Sequence, residues 1–135
     1  MIEREVVNIR AGRQVRAAYS VRYLSDVTRG TSPIEAVEFL LDTGPSVLLS
    51  CATDWTLKVT EGRWPELPSW CHPAESWAFE EVETIGKPGF SEIVSSSEIH
   101  NPVGELCGIR LEFPAAWFTV KSGEALTLDF SPKDR

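Results

Sequence analysis

The sequence has little of what membrane proteins, exported proteins and the common enzyme classes require. No apolar run approaches the roughly 20 residues that a membrane-spanning helix needs. The opening stretch, MIEREVVNIR, has acidic residues early and no apolar centre, so we do not interpret it as a signal peptide and expect a cytoplasmic protein. The motifs G-x-S-x-G and H-E-x-x-H and a glycine-rich phosphate loop are missing, which favours a protein that is not an enzyme.

Cysteine is scarce, with only Cys51, Cys71 and Cys107. An odd number without an export signal argues against a disulfide framework and predicts reduced, mostly buried thiols. Together with His72 and His100 they lack the closely spaced ligand pairs of a zinc site. Basic neighbours that would activate a cysteine are also lacking near these residues. We therefore expect neither a metal nor a cofactor.

Basic residues are outnumbered, 13 against 20 acidic ones, and the net charge is -7. Such a surface repels the phosphates of nucleic acids and anionic lipids. It speeds association with a partner of opposite charge. The charge therefore predicts no binding to nucleic acid or membrane, and it favours a basic protein partner. No feature of the sequence indicates an oligomeric state.

The dominant hydrophobic period is two, the period of a strand with one buried face. It is clearest in residues 15–23, 109–113 and 126–130. The segment 121–124 between two such runs predicts a tight hairpin. We predict about eight to ten strands in one domain spanning residues 1–135. The fold class is all-β, a mostly antiparallel sandwich or a partly open barrel, and segment 91–99 is also compatible with one short helix.

The stretch FLLDTGPSVLLS, residues 39–50, allows two interpretations. It resembles the first motif of the retroviral aspartic proteases, which would imply a dimer whose two Asp42 carboxylates share a proton. Residues 106–108, Leu-Cys-Gly, could match the second motif of that family, which a short helix follows. Here an alternating strand follows Gly108 instead, and a glycine-rich flap is missing. DTGPS also suits a hairpin turn in which Asp42 bonds the turn backbone and Gly44 adopts a positive φ. We favour the turn.

The most unusual segment is residues 54–83, which holds four of the five tryptophans, three prolines and many acidic residues. Prolines lower the entropy cost of holding a loop in one shape, and tryptophans are enriched at binding hot spots. We expect Trp55 and Trp77 to be strand residues in the core. Trp64 and Trp70, flanked by prolines and acids, are the candidates for partner contact.

Three functional hypotheses follow. The leading one is a non-enzymatic protein-binding module, most concretely a small acidic bacterial immunity or inhibitor protein that occludes a basic partner. In that hypothesis Trp64 and Trp70 anchor the partner, and a set of acidic residues steers the encounter. This acidic set consists of Glu61, Glu66, Glu75, Glu80 and Glu81. The alternatives are a β-barrel whose internal cavity, lined by the Val15, Tyr19 and Tyr23 face, holds a small ligand, and the aspartic protease dimer.

Overall fold

A computed structural model describes residues 9–23, 33–71 and 73–133. They form nine strands and one 3-10 turn at Ala74–Ser76. The strands are β1 (Val15–Tyr23), β2 (Ile34–Leu41), β3 (Val47–Cys51), β4 (Leu57–Glu61), β5 (Trp77–Glu81), β6 (Ser95–His100), β7 (Leu106–Glu112), β8 (Ala116–Lys121) and β9 (Thr127–Pro132). In the described residues no helix is long and apolar enough to cross a membrane.

The strands form two antiparallel sheets, ordered β4-β3-β2-β1-β5 and β6-β7-β8-β9. One core cluster joins the facing sides, with Phe39 and Leu49 from the larger sheet and Leu111 and Phe118 from the smaller. The rings of Phe39 and Phe118 meet edge to face across this core, 6.1 Å between centroids. The predicted all-β sandwich is confirmed, and the described strands do not close into a barrel.

Segment 91–99 does not form the short helix with which its sequence is compatible. Residues 95–100 form strand β6, which pairs antiparallel with β7. Ser95 shows how a serine is accommodated there, because its Oγ donates to Glu112 Oε1 on the neighbouring strand over 2.8 Å. The cross-strand partners override the weak local preference of the serine run.

The turn interpretation of Asp42 is confirmed. Strands β2 and β3 pair antiparallel, with Phe39 opposite Val47, and residues 42–46 connect them. Asp42 Oδ1 accepts hydrogen bonds from the Thr43 amide (3.0 Å) and Arg13 Nε (2.9 Å), and Gly44 has φ 79°. The Arg13 contact lowers the pKa of Asp42, so this exposed carboxylate is held in its ionised form.

Strand β1 contains a bulge that the alternation of its sequence does not reveal. Val15 pairs with Leu41, whereas Ala17 pairs with Leu40, so Arg16 is an extra residue in β1. A one-residue insertion reverses the faces of the following side chains. Val15 therefore lies in the core between the sheets, and Tyr19 lies on the outer face. The predicted common face of Val15, Tyr19 and Tyr23 is wrong.

The segment 62–76, which we call the covering loop, connects β4 to β5 and packs on the outer face of the larger sheet. His72 within it lies outside the described residues. A second apolar cluster forms beneath the loop, where buried Cys71 meets Val21 and Leu48, with Leu67 packed alongside. The larger sheet is thus covered on both faces, by the smaller sheet on one side and by this loop on the other.

Candidate functional site

Trp64 fastens the covering loop to the sheet. Its indole stacks on the ring of Tyr19, with centroids 4.2 Å apart and planes inclined by 19°. It also meets the edge of Phe79 at 4.7 Å. The peptide bond between Trp64 and Pro65 is cis. Trp64 is half-buried, so much of the ring that was expected to contact a partner is engaged within the chain.

Glu38 is a buried carboxylate beneath the same loop. Its exposed fraction is 1%, although it lies on the outer face of the sheet, between Tyr19 and Leu48 on the adjoining strands. Its Oε2 accepts hydrogen bonds from Ser46 Oγ (2.5 Å) and from the backbone amide of Trp64 (3.1 Å). Burial raises the pKa of Glu38, and the two hydrogen bonds oppose that change.

Gly62 permits this close packing of carboxylate and loop. A β-carbon at position 62 would overlap Glu38 Oε2 and would come within 2.6 Å of Ser46 Oγ. The Gly62 amide donates to the Ser46 carbonyl over 2.8 Å, which fixes the start of the loop against β3. A side chain at position 62 would push the Glu38 carboxylate and the Ser46 hydroxyl aside, so this glycine serves the close contact rather than backbone freedom.

A cavity of about 500 Å³ lies between the covering loop and strands β2, β3 and β4. Glu38 and Leu48 contribute from the sheet, and Trp70 contributes from the loop. The other lining residues are Lys58, Thr60, Glu61, Gly62, Arg63, Glu66, Leu67, Pro68 and Ser69. The cavity thus combines one buried carboxylate, an apolar wall and exposed charges of both signs.

A row of aromatic rings extends along the outer face beside this cavity. The Trp77 ring meets Trp70 edge to face at 5.4 Å and Tyr23 at 5.3 Å. Trp70 and Tyr23 are 45% and 43% exposed, and Trp77 between them is half-buried. We call Tyr23, Trp77 and Trp70 the aromatic row. Large aromatic side chains that remain this exposed are typical of binding surfaces.

The five acidic residues predicted to steer a partner are all exposed, but they do not form one patch. Glu61 and Glu66 line the cavity, and Glu75 lies in the 3-10 turn before Trp77. Glu80 and Glu81 lie on β5, at the opposite edge of the sheet from β4. Glu80 pairs with Arg22 at 2.7 Å, and Glu81 approaches Lys87 at 3.8 Å.

Trp55 departs from the prediction that it is a core strand residue. It is 58% exposed and has φ 68°, in the connection between β3 and β4. Its carbonyl accepts a hydrogen bond from Ser122 Oγ (2.8 Å), which ties this turn to the other sheet. Trp77 is in strand β5 as predicted, but it is half-buried on the outer face rather than in the core between the sheets.

The three cysteines are free thiols. Cys71 is buried, and this burial, with the nearby charge of Glu35, raises its pKa to about 11. Cys51 and Cys107 are partly buried. In the described part of the chain, no three histidine, cysteine, aspartate or glutamate side chains come together to hold a metal ion.

The sequence pointed to Trp70 of the aromatic row but not to Glu38 or Tyr23, and it placed Trp77 in the core. A signal for Glu38 is present, since it is a charged residue flanked by Val37 and Phe39 in the otherwise apolar core of β2. Tyr23 was assigned to an inward face because the bulge at Arg16 is not visible in the sequence.

Comparison of the chain with protein-family models, with curated proteins and with solved structures finds no match. The functional interpretation therefore depends on the chain's own residues.

Proposed function

We propose that this protein is a non-enzymatic binding module whose covering loop and aromatic row contact a basic protein. The observation that carries the proposal is the exposure of Trp70 and Tyr23, 45% and 43%, on rings already held by Trp77. Rings fixed in this way lose little conformational entropy when a partner buries them. Tryptophan and tyrosine are also the residues that most often dominate the energy of protein interfaces.

Charge supports a basic partner. Glu66 lines the cavity together with Trp70, and Glu75 precedes Trp77 in the chain. Glu35 lines a neighbouring cavity, also together with Trp70. These carboxylates lie on the Trp70 and Trp77 side of the aromatic row, and the net charge of -7 adds to the attraction for a basic partner. Such an arrangement speeds the encounter with a basic surface and disfavours acidic ones.

The specific form of the proposal is an immunity or inhibitor protein that covers the active site of a basic toxin or enzyme. Its support is the acidity of the chain and the absence of common catalytic motifs in its sequence. Occlusion needs a rigid surface, and the stacking of Trp64 on Tyr19 supplies rigidity to the loop. The mechanism is steric exclusion of the substrate, with electrostatic steering of the encounter.

The test is affinity capture from a lysate of the source cell, followed by measurement of binding to the purified partner. We expect a basic protein, and Trp70→Ala should weaken its binding at least about tenfold, as for a hot-spot residue. A double substitution, Glu66→Lys with Glu75→Lys, should slow association and reduce its dependence on salt.

The matched control is Trp117→Thr. Trp117 is a half-buried tryptophan in β8, stacked under Arg110 at 4.1 Å, in the other sheet. Its loss should leave partner binding unchanged. If Trp117→Thr weakens binding and Trp70→Ala does not, the partner uses the other sheet and the proposal fails.

A further inference from the structure

We propose that the cavity beneath the covering loop receives the guanidinium group of an arginine side chain, which donates a hydrogen bond to Glu38 Oε1. This inference rests on the proposed function, because the arginine would belong to the basic partner. Glu38 Oε1 would then be the acceptor, and a guanidinium group the donor, at the surface formed by the covering loop and the aromatic row.

Only one of the two carboxylate oxygens of Glu38 accepts hydrogen bonds from the described residues. Both hydrogen bonds to Glu38 end on Oε2, from Ser46 and Trp64. No residue that the structure describes donates to Oε1. The side chain is 1% exposed and contributes to the cavity wall. Oε1 is therefore the oxygen of Glu38 that remains open to an incoming donor, and a cationic donor would form a charge-assisted hydrogen bond there, which is stronger than a bond between neutral groups.

The lining of the cavity favours a guanidinium group over an ammonium group. The cavity wall combines Trp70 with the aliphatic side chains of Leu48 and Leu67. Guanidinium is planar, weakly hydrated and stacks on aromatic faces, whereas an ammonium group keeps its water more strongly. The volume of about 500 Å³ exceeds what one arginine side chain occupies, so the cavity is large enough for it. Arginine is therefore favoured over lysine.

Two basic residues, Lys58 and Arg63, also line the cavity and would repel an incoming cation. Both are exposed, so water screens their charges, whereas the carboxylate of Glu38 is shielded from water. Glu61 and Glu66, which line the same cavity, balance the positive charges of Lys58 and Arg63. Lys58→Gln should consequently strengthen arginine binding, and this effect should shrink at high salt.

The experiment is an NMR titration with N-acetyl-arginine-N-methylamide, followed on the backbone amides of Gly62 and Trp64. The control ligand is the citrulline counterpart, which has the same shape without the charge. We expect a saturable shift with a dissociation constant on the order of 1 mM for the arginine compound. The citrulline compound should bind about tenfold more weakly, since it lacks the charge-assisted hydrogen bond. Equal binding of the two ligands, or no saturable shift up to about 50 mM, would overturn the proposal.

Two variants locate the site. Glu38→Gln keeps an acceptor for Ser46 and Trp64 but removes the charge, and it should weaken binding about tenfold. Thr60→Phe should abolish binding by filling the cavity while Glu38 stays in place. Glu124→Gln, at an exposed position between β8 and β9 in the other sheet, should bind as the wild type does. Unchanged binding in both cavity variants would contradict the assignment.

The same variants separate this inference from the proposed function. If Trp70→Ala weakens partner capture while Glu38→Gln and Thr60→Phe leave both capture and the arginine titration unchanged, the arginine site is wrong and the binding surface stands. If the arginine compound binds at Glu38 but no Trp70-dependent partner exists, the cavity assignment stands and the proposed function fails.

Discussion

The backbone amide of Trp64 donates a hydrogen bond to Glu38 Oε2 across 3.1 Å. This contact joins the covering loop to the central strand of the larger sheet, next to the stacking of Trp64 on Tyr19. Burial of a carboxylate is costly, and here the cost is offset by hydrogen bonds from both the loop and Ser46. The loop is therefore held at a defined height above the sheet, which creates the cavity beneath it.

Replacing Trp64 with alanine should loosen the covering loop. The substitution removes the stacking on Tyr19 and the edge contact with Phe79, and it should lower the free energy of unfolding by about 2–3 kcal/mol. Urea denaturation measures this directly. Trp70→Ala is the matched control, because Trp70 is 45% exposed, and its cost should not exceed about 1 kcal/mol. Equal losses for the two variants would show that Trp64 does not fasten the loop.

Gly62→Ala should destabilise the protein by steric overlap with Glu38 and Ser46, by about 1–3 kcal/mol. The comparison is Gly123→Ala, where the nearest atom to a new β-carbon is the Ala125 carbonyl oxygen at 3.7 Å. That variant should change the unfolding free energy by no more than about 1 kcal/mol. Thermal and urea unfolding of both variants test the difference. If Gly62→Ala is as stable as the wild type, the carboxylate is not packed against the loop as described.

The raised pKa of Glu38 should make the unfolding free energy of the protein depend on pH. Its folded pKa is raised above the ordinary value of 4.5, so its contribution to stability is fully present below that pH. The contribution is lost as the pH rises through the folded pKa, because the unfolded chain releases the proton more easily than the folded chain does. Glu38→Gln removes this loss while keeping an acceptor for Ser46 and Trp64.

The measurement is the unfolding free energy of wild type and Glu38→Gln between pH 4 and pH 8 in the same buffer series. The stability of the wild type relative to the variant should fall with pH by at most about 1.4 kcal/mol per pH unit, since one proton is involved. Asp42 and Glu112 have lowered pKa values, so their contributions to the unfolding free energy increase as the pH rises. Both residues are present in the wild type and in the variant, and their contributions cancel when the two unfolding free energies are subtracted. A difference that rises with pH would contradict a Glu38 carboxylate whose pKa is raised by burial.

Sequence patterns predicted the parts of this fold whose structure is set by residues close together in the chain. The β2–β3 hairpin follows from the alternation of Val37 and Phe39 and from the turn residues Asp42 and Gly44. The β8–β9 hairpin was predicted in the same way, although residues 122–126 connect its strands and the connection is longer than the tight turn expected at 121–124. Both depend on local periodicity and turn chemistry, which a sequence displays directly.

The rest depends on contacts between distant segments. The bulge at Arg16 is visible only in the pairing of β1 with β2. The hydrophobic alternation of the sequence therefore predicted Val15 and Tyr19 on one face of the strand. Trp64 and Trp70 have similar neighbours in the sequence. Trp64 nevertheless packs on Tyr19 and Phe79, whereas Trp70 remains exposed. Glu38 becomes a site residue only because the covering loop passes over it. No local rule predicts where a loop of this length packs.

The central claim is that the partner binds over the covering loop and the aromatic row. Hydrogen–deuterium exchange of the chain with and without its purified partner tests it most directly. We predict slower exchange in residues 62–71 and in β5 on binding, with strands β8 and β9 unchanged. Protection confined to β8 and β9, with residues 62–71 exchanging as in the free protein, would contradict the account.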